Sequence, residues 1–193
     1  MNMAGKENER LSEAELERLF RAPDLDTVVG IRNVTIMLLM VECGLKVGEI
    51  VGKEGARGAT VIGGLRIGDV ALSERRLTVV KPKRGTTRGV DLSLRVTQYL
   101  TVWLSVRPDH IDNDVVFTTR RGGPLSNRYV RRFLAEYGRD AGIEGPVRPS
   151  LLRHTFARRL FEETHDLDLV QERMGLRSIA GVARYAASTQ KRG

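Results

Sequence analysis

Toward the end of the chain Tyr185 follows the run Leu151-Leu152-Arg153-His154-Thr155-Phe156-Ala157, and these are the side chains with the most chemistry to offer. A tyrosine hydroxyl titrates near ~10 and is a poor nucleophile at neutral pH. It becomes effective where cations hold a phosphate diester against it and stabilise the charge of in-line displacement. Cations are dense here: Arg148, Arg153, Arg158, Arg159, Arg173, Arg177, Arg184, Lys191 and Arg192 all lie in the last stretch. Two further clusters stand upstream, Lys81, Lys83, Arg84 and Arg88 in one short segment and Arg128, Arg131 and Arg132 in another. A net charge of +8 points to a polyanionic partner. Aromatics at 5% of residues argue against a stacking platform for single strands. Duplex DNA, gripped through its phosphates, fits better. No His/Cys/Asp cluster has metal-ligand spacing, so neither metal nor cofactor is expected.

The elements that must position these residues are legible from pattern. Ser12 and Glu15 form a capping box, with Leu11 and Leu16 at the positions of a hydrophobic staple, and Leu16, Leu19 and Phe20 give the helix an apolar face before Pro23. A second helix is predicted from about Ile31 to Cys43, closed by Gly44. Its apolar run Val34–Val41 is too short to cross a membrane, which takes ~18 apolar residues, and no membrane partner is expected. A short helix is predicted over Val47–Val51. The glycine-rich stretch Gly52–Gly64 reads as a flexible loop or a small extra hairpin. Strands at Asp69–Leu72, Leu77–Lys81 and Gly89–Leu92 would form a three-stranded antiparallel sheet, with the basic turn between the last two. Val115–Thr118 is a brief extended segment. Helices are predicted at Leu94–Val106, Asn127–Ala141, Leu151–Glu163, Leu167–Met174 and Ile179–Ala186. The fold class is therefore α+β, mainly helical, with a small sheet. The single cysteine, Cys43, has no internal disulfide partner, which suits a reduced, cytoplasmic setting.

The order of these segments resembles the catalytic domain of the tyrosine recombinase (phage integrase) family. The landmarks are Cys43-Gly44-Leu45-Lys46-Val47-Gly48-Glu49-Ile50, the basic hairpin around Lys83, the run VFTTRRGGPLS, then LRHTFA, Met174-Gly175-Leu176 and the late tyrosine. The resemblance implies metal-free strand cleavage and rejoining through a 3′-phosphotyrosyl intermediate. Tyr185 takes the nucleophile's position; its alternative is a buried helix tyrosine. Arg153 matches one of two arginines that clamp the scissile phosphate. Lys46 stands where the other arginine would be, keeping the charge but losing the planar fork; its alternative is an exposed lysine at a helix start. Lys83 matches the lysine that protonates the leaving 5′ oxygen, with a solvated turn lysine as the alternative. Lys81, Arg84, Arg88, Arg128, Arg131 and Arg132 are the expected DNA-backbone contacts.

Two more positions depart from the family pattern. Ser150 replaces a histidine of the HxxR segment; it cannot shuttle protons near neutral pH and, after Pro149, reads as a helix N-cap. Leu176 replaces a hydrogen-bond donor to the phosphate and is expected to pack into the core. His154 is expected to be structural. Residues 1–10 read as a tail and residues 11–193 as the catalytic-like domain, with 52–64 as an insertion and no helical core-binding domain ahead of it. The reading is a site-specific DNA recombinase domain, acting as a homo-oligomer on DNA or paired with another recombinase. Its alternative is a degenerate recombinase that binds DNA or a partner without cutting.

Overall fold

The computed structural model describes residues 10–54, 61–81, 86–108, 114–176 and 178–183. Its centre is helix α2 (Val28–Val41), in which Arg32 through Val41 are all buried. A helix apolar on every side belongs inside a core, and α4 (Leu94–Val106) and α6 (Pro149–Thr164) pack against it. Helix α2 starts earlier than its apolar pattern suggests. Thr27 caps it, its hydroxyl accepting the Gly30 N–H at 3.0 Å, and it ends at Val41. Gly44, at φ +62°, then turns the chain so that the Leu45 N–H returns to the Leu39 carbonyl. A β-carbon at Gly44 would come within 2.4 Å of the Phe156 ring, so glycine is required there twice over.

Helix α1 (Glu13–Arg21) carries the predicted capping box and buries Leu16, Leu19 and Phe20. Its entry is fixed to α6 by the Leu11 N–H, which donates to Thr155 Oγ1 at 3.0 Å. After the short α3 (Val47–Ile50), strands β1 (Lys53–Glu54) and β2 (Val61–Ile62) pair antiparallel, the hairpin alternative for the glycine-rich stretch. The chain returns to where it left, since the Leu65 N–H donates to the Ile50 carbonyl.

Strands β3 (Val70–Ala71), β4 (Arg76–Lys81) and β5 (Thr86–Asp91) form the expected three-stranded antiparallel sheet. The first is shorter than predicted, because Ile67–Asp69 winds as a 3-10 turn before it. Leu77, Val79 and Val90 face inward. Trp103 of α4 donates its indole N–H to the Val116 carbonyl at 2.9 Å and stacks on Phe117 at 5.9 Å, pinning the segment that leads to α5 (Asn127–Asp140). Helix α7 (Leu167–Met174) follows α6 and ends at Gly175, φ +60°. A smaller cluster of Ala157, Phe161, Val170, Met174 and Val182 joins these last elements. Beyond Met174, Ile179–Gly181 is a 3-10 turn; the rest of the predicted Ile179–Ala186 helix falls largely outside the described residues. Among the described residues no helix is long and apolar enough to cross a membrane.

Candidate active site

Arg153 lies on the buried face of α6 and is only 8% exposed. One of its terminal nitrogens donates to the Gly44 carbonyl; the other reaches the Met174 carbonyl at 3.3 Å. These bonds gather the Gly44–Glu49 segment, the LRHTFA helix and the Met174–Leu176 segment around one guanidinium. They also satisfy the carbonyl left over at the end of α7 and that of the Gly44 turn beyond α2.

Glu49 sits at the centre of the cluster. Its carboxylate accepts the Lys46 N–H at 2.8 Å, capping the first turn of α3. It takes a two-pronged pair from Arg88, at 2.9 and 3.1 Å, and stands 3.8 Å from Arg153. Burial by itself would raise the Glu49 pKa, but the Arg88 hydrogen bonds and charge, the Lys46 N–H and the Arg153 charge outweigh it and leave it lowered. The carboxylate is therefore ionised at neutral pH.

Sequence groups Arg88 with the DNA-facing cations, and the structure places it elsewhere. Its side chain is 13% exposed and turned inward onto Glu49. Gly175 packs against the guanidinium so closely that a β-carbon there would lie 3.2 Å from Arg88 Cζ. The inward turn follows from strand pairing: Arg88 opposes Val79 and lies two residues from Val90, and both valines are buried. That alternation is present in the sequence; the crowd of neighbouring cations obscures it.

Lys46 is exposed at the start of α3. Ser150 is also exposed, but it is not the N-cap. Pro149 occupies the first helical position, which suits its fixed φ and missing N–H, so the cap falls to Arg148. Leu176 is half-buried against the smaller apolar cluster, with its N–H bonded to the Gln171 carbonyl at 3.0 Å. Tyr185, Lys83 and Arg84 lie outside the described residues, while Lys81 is the last residue of β4, paired with Thr86.

Arg128, Arg131 and Arg132 are exposed on α5. Behind them Tyr129 is held by Arg32, whose buried guanidinium also bonds the Thr118 carbonyl at 2.9 Å and Asn33 Oδ1. Arg132 lies over the same tyrosine ring, 5.3 Å from its centroid. Sequence reasoning misses Arg32 because an arginine inside an apolar helix run carries no signal of what it meets across the core. Cys43, buried near Glu42 and Asp91, has its thiol pKa pushed up to about 12, first by burial and then by those two carboxylates. It is not a nucleophile for this site.

With this geometry in view, comparison with known proteins is specific. The family described as the Phage integrase family matches residues 9–192. Tyrosine recombinase XerD of Ralstonia nicotianae is 30% identical over 186 residues, covering 94% of this chain and 56% of that protein. Type 1 fimbriae regulatory protein FimB of Escherichia coli K12 is 28% identical over 189 residues, 97% of this chain and 88% of that protein. The crystal structure of XerA recombinase superposes with a TM-score of 0.77 at 27% identity, over 95% of this chain and 65% of that one. The XerH recombinase in its pre-cleavage complex with difH shares the fold, with a TM-score of 0.76 at 24% identity, over 96% of this chain and 52% of that one. The chain spans about half the length of the curated Xer recombinases it matches.

Proposed function

This chain belongs to the phage integrase family, and from that premise we propose that it is the catalytic domain of a site-specific tyrosine recombinase acting on duplex DNA. The observation that carries the reading is the meeting of Arg153, the Gly44–Glu49 segment and the Met174–Leu176 segment at one buried cluster. In the proposed reaction the Tyr185 oxygen, giving up its proton to solvent, attacks the scissile phosphorus in line, forming a 3′-phosphotyrosyl bond as the bond to the 5′ oxygen breaks. Arg153 and Lys46 stabilise charge on the non-bridging oxygens, and Lys83 supplies the proton to the leaving oxygen. The exposed arginines of α5 and the basic end of the β4–β5 hairpin hold the flanking phosphates. A hydroxide or a metal is not needed in this scheme, because the nucleophile and the acid are both side chains. The 52–64 stretch is an insertion into the domain on this reading, supported by the β1–β2 pairing and by the Ile50–Leu65 bond at its base. We place the protein in the cytoplasm, in keeping with its buried free thiol.

A second reading, a recombinase that binds DNA without cutting, is favoured by one observation: Leu176 packs into an apolar cluster where the family carries a donor. A nicked suicide duplex separates the two. Covalent protein–DNA product that vanishes in Tyr185→Phe supports the first reading. DNA binding without any covalent product supports the second.

A further inference from the structure

We propose that Arg88 is a positioning residue: by neutralising Glu49 it leaves the charge of Arg153 available to a phosphodiester. The inference rests on the recombinase reading above and extends it to a residue outside the reacting set. Arg88 offers Glu49 two hydrogen bonds at 2.9 and 3.1 Å, whereas Arg153 stands 3.8 Å from the same carboxylate, beyond hydrogen-bond range. The fork-to-carboxylate geometry is the strong form of this pair. The three side chains are 9–13% exposed, so water screens them little. Two guanidinium charges less one carboxylate charge leave a single positive surplus, which matches one phosphodiester.

Without Arg88 the balance changes. Among the described residues, Arg153 is the other guanidinium within ion-pair distance of Glu49. The carboxylate would turn to it, and the net charge of that buried pair would fall to zero, removing one positive charge from those facing a phosphate. Arg88 is also held where this matters. It stands on β5 opposite Val79, midway along the β4–β5 ladder, and its guanidinium lies against Gly175, beside the Leu176 position. One arginine thereby ties the hairpin, the start of α3, and the end of α7 to the Arg153 site.

The test compares wild type, Arg88→Met and the double variant Arg88→Met/Glu49→Gln on a short nicked duplex of mixed sequence. Duplex affinity is measured across a salt series, and covalent product is measured alongside. The Met variant should flatten the slope of log affinity against log salt by about 0.9, one phosphate's worth. It should lower covalent trapping by roughly 10²–10³-fold, the loss typical of one oxyanion donor. The double variant, with no buried carboxylate left to compete, should regain both. Arg88→Lys, which keeps the charge, should hold the salt slope and covers the case in which the Met variant does not fold. An unchanged slope in Arg88→Met, a flattened slope in Arg88→Lys, or a folded double variant that regains nothing overturns the proposal. If wild type shows neither a salt-dependent affinity nor covalent product, the recombinase reading itself fails and takes this inference with it. A wild type active in both assays, with no rescue in the double variant, sinks the Arg88 role alone.

Discussion

The phenol oxygen of Tyr129 accepts a hydrogen bond from the buried guanidinium of Arg32 at 2.6 Å. This bond joins the central helix to the arginine-bearing face of α5, and it has energetic weight because Arg32 is 3% exposed with neutral acceptors around it. Hydrogen bonds to a charged group typically contribute ~1.5–3 kcal/mol. Tyr129→Phe should therefore lower unfolding stability by about that amount in urea denaturation. A loss below ~0.5 kcal/mol, the range of ordinary surface changes, would mean that Arg32 finds another acceptor.

Glu49 makes stability pH-dependent in a predictable sense. Its folded pKa lies below the ordinary value of 4.5: burial opposes this, but Arg88, the Lys46 N–H and Arg153 prevail. A depressed carboxylate stabilises the fold fully above its unfolded pKa, and that contribution disappears as pH falls through the folded value. Glu49→Gln should cost ~3–5 kcal/mol at neutral pH, because it leaves Arg88 buried without its counter-charge. The difference from wild type should narrow as pH drops below the ordinary value of 4.5. Denaturation midpoints taken between neutral and acid pH check this. A constant difference would show that the pair contributes through packing and not through charge.

How much of the molecule is readable from its sequence depends on whether a feature is local. The capping box of α1, the apolar run of α2, the hairpin sheet and the helix at Leu167–Met174 are set by near neighbours, and pattern finds them. The beginning of α2 escapes pattern because Val28, Val29 and Gly30 are poor helix formers, and the Thr27 hydroxyl rather than propensity starts the helix. Ser150 reads as a cap only while Pro149 is taken to lie ahead of the helix; Pro149 instead occupies the first helical position. At the site, Arg153 and the Gly44–Glu49 segment are recognisable as motifs. What Glu49 does with Arg88 and Arg153 joins residues far apart in the chain, and only the packed structure brings them together.

The hairpin cations offer a test of the interface that does not require cleavage. With Arg88 turned inward, the cations expected to meet DNA from that segment reduce to Lys81, Lys83 and Arg84. Replacing those three with alanine should flatten the salt dependence of duplex affinity by about 0.9 for each phosphate no longer neutralised. Removing Arg128, Arg131 and Arg132 from α5 should add a further, separate flattening, since the two groups lie on different elements. An unchanged slope in either variant would remove that element from the DNA interface.

On the proposed recombinase reading, Lys46, Ser150 and Leu176 stand where stronger catalytic groups would act. Arginine in place of Lys46 would regain a planar fork, suited to gripping two phosphate oxygens, on an exposed side chain. Histidine at Ser150 would stand one turn before Arg153 on the same helix face, where it could exchange a proton near neutral pH. Histidine at Leu176 would supply a donor but would also give up half-buried apolar packing, so a modest stability cost, on the order of 1 kcal/mol, should accompany it. Loss of one preorganised donor typically costs ~10²–10³ in rate, and loss of acid–base help ~10²–10⁴. The combined Lys46→Arg, Ser150→His and Leu176→His variant should raise covalent trapping on a suicide duplex by at least ~10²-fold, less than the product because such effects are not additive. Tyr185→Phe should abolish trapping in both backgrounds. A folded, DNA-bound triple variant that gains nothing would show that these three side chains do not limit cleavage, and that whatever completes the site must be supplied in trans or by sequence beyond this domain.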